Sequence, residues 1–128
     1  MGLFSFTKDT NQSSLDWNEL THLKQLDRLS EESFRNPVAI FKHSTRCGIS
    51  RMSLKTFESE MPQLESDISL YFLDLLSHRD ISSAIAQKFG ITHESPQIIL
   101  IRNGKAIFHE SHSGIAAGDL VEASKKEN

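Results

Sequence analysis

The stretch Phe41-Lys42-His43-Ser44-Thr45-Arg46-Cys47-Gly48-Ile49-Ser50 decides the reading of this chain: an apolar run ends in it, the only cysteine follows, and a helical pattern starts. On its N-terminal side, Val38, Ala39, Ile40 and Phe41 after Pro37 predict a short buried strand, with Lys42 and His43 at its exposed end. On its C-terminal side, Met52, Leu54, Phe57 and Met61 recur at roughly helical spacing. A thiol at such a junction meets the positive end of the helix dipole and the first backbone N–H groups, which have no partner inside the helix. Both favour the thiolate, the state in which cysteine is a nucleophile. Arg46 adds a neighbouring positive charge. Ser50 stands where a C-x-x-C pair has its second cysteine, and its hydroxyl is expected to donate a hydrogen bond to the Cys47 sulfur. The stretch therefore reads as a thiol redox site.

Composition bounds that reading. At 128 residues the chain is expected to form one domain, large enough to bury a core without disulfides or metal. A net charge of -3 argues against a nucleic-acid binder that works by neutralising phosphates. A single cysteine permits no internal disulfide, which fits a reducing compartment. Met1 to Phe6 lacks the charged n-region and long apolar core of a secretory leader, so a cytoplasmic protein is expected. No apolar run approaches the ~18 residues of a membrane span, so no membrane partner is expected.

Outward from the cysteine stretch, the flanking segments supply the rest of a domain. Residues 1–14 read as a flexible N-terminal arm whose Phe4 and Phe6 could dock on the body, and 15–128 as the folded domain. Trp17, Leu20, Leu23, Leu26 and Leu29 recur every three residues and predict an amphipathic helix over Leu15 to Ser30, with Trp17 in the core. Ser30 to Ser33 and Asn36-Pro37 form the turn into the first strand, since the residue before proline avoids helix. The helix after Cys47 runs to about Met61, because Pro62 cannot continue it. Ser69 to Leu75 reads as a second buried strand. Ser77-His78-Arg79-Asp80 predicts a capping box for a helix that Gly90 stops. Gln97 to Ile101, Asn103-Gly104 and Lys105 to His109 form a hairpin, and Ala117 to Lys125 a last helix. Alternating strands and helices followed by a hairpin imply an α/β fold, a mixed central sheet of about four strands flanked by helices.

That order is the thioredoxin-like architecture, and nearly the whole chain after the arm resembles the monothiol bacilliredoxins. The resemblance is carried by Phe41 to Cys47 with Ile49-Ser50, by His93-Glu94-Ser95-Pro96-Gln97, by Asn103-Gly104-Lys105 and by His109-Glu110-Ser111-His112. It implies thiol–disulfide exchange that removes bacillithiol from S-thiolated client proteins, with bacillithiol or glutathione as co-substrate and no tightly bound cofactor. The implied catalytic set is Cys47 as nucleophile with Ser50, Arg46 and Thr45 around it; Gly48, Ile49, Ser95 and Pro96 form the substrate-binding set. Ser95-Pro96 matches the segment in which a cis-proline faces the active-site sulfur. The family commonly reads Cys-Pro-Ile-Ser, whereas Gly48 follows the cysteine here. This brings the motif close to the Cys-Gly-Phe-Ser of monothiol glutaredoxins, some of which carry an iron–sulfur cluster.

Each residue also has a plainer reading. A lone cysteine is commonly a small buried apolar residue, Thr45 and Ser44 suit a turn, and Arg46 suits a solvated surface. The six histidines have no spacing that makes a metal site, so none is expected. Two other function classes compete with the oxidoreductase: a glutathione-type monothiol glutaredoxin or cluster carrier, and a redox-inert module that keeps the fold.

Overall fold

Five strands and four helices alternate along residues 15–126, which the computed structural model describes. They are β1 (Asn18–Glu19), α1 (Lys24–Glu32), β2 (Val38–His43), α2 (Gly48–Glu60), β3 (Ser69–Asp74), α3 (Arg79–Phe89), β4 (Gln97–Arg102), β5 (Lys105–Ser111) and α4 (Ala117–Lys126), with 3₁₀ turns at Met61–Gln63 and His112–Gly114. The expected arm at 1–14, with Phe4 and Phe6, lies outside the described residues.

The sheet order is β1-β3-β2-β4-β5. β3 runs parallel to both β1 and β2, while β4 runs antiparallel to both β2 and β5. Side-chain alternation along the strands sends Ala39 and Phe41 to one face, against Phe57 of α2 and Leu120 and Val121 of α4. Val38 and Ile40 face the other way, onto Leu26 and Leu29 of α1 and Ile81 and Ile85 of α3. Each fully buried Val, Leu, Ile or Phe among them is worth about 1.5–3 kcal/mol. Because β2 has a strand on each edge and helices on each face, all six of its residues are buried.

The described residues hold one strand more than the four expected, and the extra one corrects the reading of Leu15 to Ser30. The three-residue recurrence there spans two elements. Trp17 precedes β1 and packs its ring on Phe41, Phe57 and Phe72 at centroid distances of 6.1, 6.0 and 5.6 Å. Its Nε1 donates to Glu58 Oε2 at 2.8 Å. β1 then occupies the free edge of β3, pairing Asn18 with Tyr71 and Glu19 with Phe72, and Leu20 N–H donates to the Phe72 carbonyl. An open strand edge offers donors and acceptors that compete with helix for the same backbone. The helix starts only at Lys24, and Leu23, counted into its buried stripe, is 49% exposed. Gln25 ties the two elements together: its Oε1 accepts the Thr21 and His22 N–H groups, and its Nε2 donates to the Glu19 carbonyl. At the other end α1 runs on through Glu31 and Glu32, where the sequence predicts the turn.

Punctuation elsewhere follows local chemistry. Gly90 ends α3 in the left-handed region at φ 67°, and Asn103 and Gly104 both take positive φ, 54° and 76°, in the β4–β5 turn. The capping box at Ser77–Asp80 does not form. Ser77 Oγ turns back to Asp74 Oδ2, and Asp80 Oδ1 accepts from its neighbour Ile81, so the cap residue His78 makes no side-chain cap bond.

Candidate active site

β2 delivers the chain to the C-terminal edge of the sheet, and four residues turn it into α2. The turn is closed by Cys47 N–H donating to the Ser44 carbonyl at 3.2 Å, and α2 starts with Arg51 N–H donating to the Cys47 carbonyl at 3.1 Å. Cys47 is thus the cap residue of α2, in extended backbone conformation, half-buried and free. Its sulfur makes no side-chain cap bond. Gly48 and Ile49 form the first turn of α2 and are exposed, Ile49 at 54%.

Ser50 corrects an expectation. It is completely buried, and its Oγ accepts the Ser44 N–H at 3.0 Å and lies 2.9 Å from His43 Nδ1. No hydrogen bond joins it to Cys47 among the described residues. Local neighbours account for this: the Ser44 N–H, just past the end of β2, donates to the oxygen, and His43 Nδ1 stands where it can take the hydroxyl proton. Ser50 therefore staples the cysteine loop to the end of the strand. Thr45 and Arg46 are exposed, and the Thr45 carbonyl accepts a long 3.4 Å bond from the Arg51 guanidinium.

Lys42 and His43 also depart from their reading as an exposed strand end; they are 0% and 5% exposed. His43 points to the α2 face, its ring 5.6 Å from that of Phe72, and burial lowers its pKa below the usual histidine value. The carboxylates of Asp74 and Glu58 pull it back up and the Arg51 guanidinium pushes it down, each less than burial does. Lys42 points to the opposite face. Its Nζ lies 3.3 Å from His93 Nδ1, which also faces Ser82 Oγ at 3.2 Å. Desolvation lowers the Lys42 pKa from 10.5 to about 8, and burial together with the Lys42 charge lowers that of His93. The signal that could have found both residues is β2 itself: a strand central enough to read as continuous apolar residues is covered on both faces to its last position.

The second half of the site comes from β4. Lys42 pairs with Gln97, so Ser95 and Pro96 sit just before β4, alongside the end of β2 from which the cysteine loop departs. The Ser95–Pro96 peptide is cis, Pro96 is buried, and its carbonyl accepts the His112 N–H at 2.9 Å. Ser95 Oγ is buried without a hydrogen-bond partner among the described residues. Two grooves flank the start of α2. The larger, of about 780 Å³, is lined by His43, Gly48, Ile49, Met52 and Leu54 with Arg51, Lys55 and Glu58 at its rim. The smaller lies between Ile49, Met52 and the His112–Ser113 turn. Among the described residues no group of three or more His, Cys, Asp or Glu is placed to hold a metal ion, and no helix is long and apolar enough to cross a membrane.

A lone thiol at a helix N-terminus on the C-terminal edge of a mixed sheet defines a thioredoxin-like thiol redox protein of the one-cysteine type. The chain belongs to the monothiol bacilliredoxin BrxC family, whose model matches residues 18–120. Among solved structures it resembles a thioredoxin-fold protein whose oxidoreductase role is itself inferred, at 30% identity and TM-score 0.71 over 82% of this chain and 90% of the other. Two thioredoxins share the fold at lower identity. That of Schistosoma mansoni matches at 20% and TM-score 0.65, covering 88% of this chain and 95% of its own. That of Malassezia sympodialis matches at 19% and TM-score 0.63, covering 90% and 93%.

Proposed function

We propose that this protein removes bacillithiol from S-bacillithiolated client proteins by thiol–disulfide exchange at Cys47. The observation that carries the reading is a free, half-exposed cysteine capping α2, with no second cysteine in the chain to resolve it. The Cys47 thiolate attacks the bacillithiol sulfur of the mixed disulfide; a new S–S bond forms there as the old one breaks, and the client sulfur leaves as a thiolate. One disulfide and one thiolate are exchanged for another disulfide and another thiolate, so the step needs no oxidant or reductant. A second small thiolate then attacks the bacillithiol sulfur of the Cys47 adduct, the two small thiols leave joined as a disulfide, and the Cys47 thiolate is restored. Ser50 carries no sulfur and cannot take that role.

Gly48, Ile49, Ser95 and Pro96 would line the contact with the mixed disulfide, and Arg46 would add positive charge near the thiolate. A reducing, cytoplasmic setting would keep Cys47 in its active state. The test is release of the small thiol from one client protein loaded either with bacillithiol or with glutathione, using the wild type and Cys47→Ala. Faster release from the bacillithiol form, abolished in Cys47→Ala, is expected. Equal or faster release from the glutathione form would favour the monothiol-glutaredoxin reading that Gly48 raises, and no release from either would favour the redox-inert one.

A further inference from the structure

The hydrogen bonds of Ser50 leave one question of proton placement, and its answer reaches the sulfur. Ser50 Oγ already accepts the Ser44 N–H, and its second contact is His43 Nδ1 at 2.9 Å. A hydroxyl has one proton to give. When His43 is neutral with its proton on Nε2, Nδ1 is an acceptor and takes that proton, which holds the Ser50 O–H away from everything else. When His43 is protonated, Nδ1–H becomes the donor. Ser50 Oγ then accepts twice, and its own proton is free for another acceptor.

Cys47 and Ser50 are the cap residue and the third residue of α2. That is the pair of positions across which side chain and backbone reach each other in a capping box. We propose that His43 is a positioning residue for the thiol site, which switches the Ser50 hydroxyl between its own imidazole and the Cys47 sulfur. Nε2 carries a proton in both states and Nδ1 is the nitrogen that gains one; His43 lines the larger groove, so a group bound there can bias that equilibrium. The groups facing the imidazole are Asp74 from β3 and Glu58 and Arg51 from α2, with Lys55 on the same groove and the Phe72 ring against it. Burial outweighs the two carboxylates, so His43 is neutral near pH 7 and holds the Ser50 proton. Protonation of Nδ1, by acid or because an anionic group of a bound client stabilises the imidazolium from the groove, releases it toward the thiolate.

The inference rests on Cys47 being the working thiol, but alkylation reads its ionisation directly, so a failed client assay and a failed coupling are separate results. The experiment is the rate of iodoacetamide alkylation of the reduced full-length protein against pH, for the wild type, Ser50→Ala, Ser50→Thr and His43→Gln. His43 titration is followed by NMR in the first three. The wild-type profile should bend on its acid limb at the His43 midpoint, with Cys47 below that midpoint about three- to tenfold more reactive than in Ser50→Ala. That factor is one hydrogen bond to a charged group, reduced by the lower nucleophilicity of a more stable thiolate. Ser50→Thr keeps the hydroxyl and should keep the bend, whereas Ser50→Ala should lose it while His43 still titrates. His43→Gln should lose it too; if that variant does not fold, the Ser50 pair decides. A wild-type profile without a bend, or a bend that survives Ser50→Ala, would overturn the proposal.

Discussion

Lys42 Nζ lies 3.3 Å from His93 Nδ1 on a strand residue that water does not reach. The bond requires His93 to be neutral, since only an unprotonated Nδ1 can accept. It leaves a charged ammonium largely desolvated at neutral pH, and the pKa falls from 10.5 to about 8. The unfolded chain keeps this proton up to 10.5 and the folded chain releases it near 8, so between those values the unfolded state binds more protons. Stability from this group therefore rises with pH across that window. Lys42→Met, which removes the charge and keeps most of the volume, should be more stable than wild type at pH 7 by about 1–3 kcal/mol. Urea denaturation at pH 7 and pH 10 checks it: the advantage of Lys42→Met should shrink at the higher pH, and a destabilised variant at pH 7 would show that the ammonium is well solvated.

Tyr71 and Glu32 make the opposite linkage. The phenol donates to Glu32 Oε1 at 2.7 Å while Ser69 donates to Oε2, so one carboxylate at the end of α1 binds two residues of β3. Burial first, then the bond to Glu32 and its charge, raise the Tyr71 pKa from 10.0 to about 12. The stabilisation is fully present below pH 10 and is lost as pH rises toward 12. Tyr71→Phe should cost about 1.5 kcal/mol at pH 7, the lower end for a bond to a charged group because Tyr71 is only half-buried. A cost below about 0.5 kcal/mol in chemical denaturation would mean that water replaces the phenol without loss.

At the β4–β5 turn, Gly104 combines φ 76° with close packing. A Cβ there would sit 3.2 Å from Phe34 Cζ, and the Gly104 N–H donates to Ser33 Oγ at 2.8 Å, which joins the hairpin to the end of α1. Gly104→Ala should destabilise by about 1–2 kcal/mol, from the strained backbone and from displacement of a Phe34 ring that is 62% exposed and free to give way. Thermal unfolding of Gly104→Ala beside Gly90→Ala separates the two contributions. Gly90 has φ 67° but no atom within 4 Å of the added Cβ, so its cost should be backbone strain alone.

The sequence carried the parts of the fold that single residues dictate. Asn103-Gly104 and Gly90 need positive φ, Pro37 and Pro62 restrict their neighbours, and the apolar residues after Ile49 have helical spacing. What it did not carry was set by neighbours distant in the chain. Leu20, Leu26 and Leu29 are buried as the recurrence implies, but Trp17 is half-buried in the core on the other face of the sheet, and the backbone between them is divided because β3 has a free edge at Tyr71 and Phe72. Lys42 and His43 look like a strand leaving the core and are buried, because β3 and β4 flank them through Leu73, Asp74 and Gln97. The same holds at the site. The place of Cys47 at the start of α2 follows from spacing, whereas the direction of the Ser50 hydroxyl depends on where the Ser44 N–H and the His43 ring end up.

In this mechanism Cys47 itself accepts the small thiol. Intact-protein mass spectrometry of the reduced protein, mixed with one equivalent of an S-bacillithiolated client in the absence of any resolving thiol, measures it directly. The client is expected to lose the mass of one bacillithiol as this protein gains it, with the adduct mapped to Cys47, and Cys47→Ala to neither gain mass nor strip the client. Release of bacillithiol with no adduct on Cys47, or at an undiminished rate in Cys47→Ala, would contradict it.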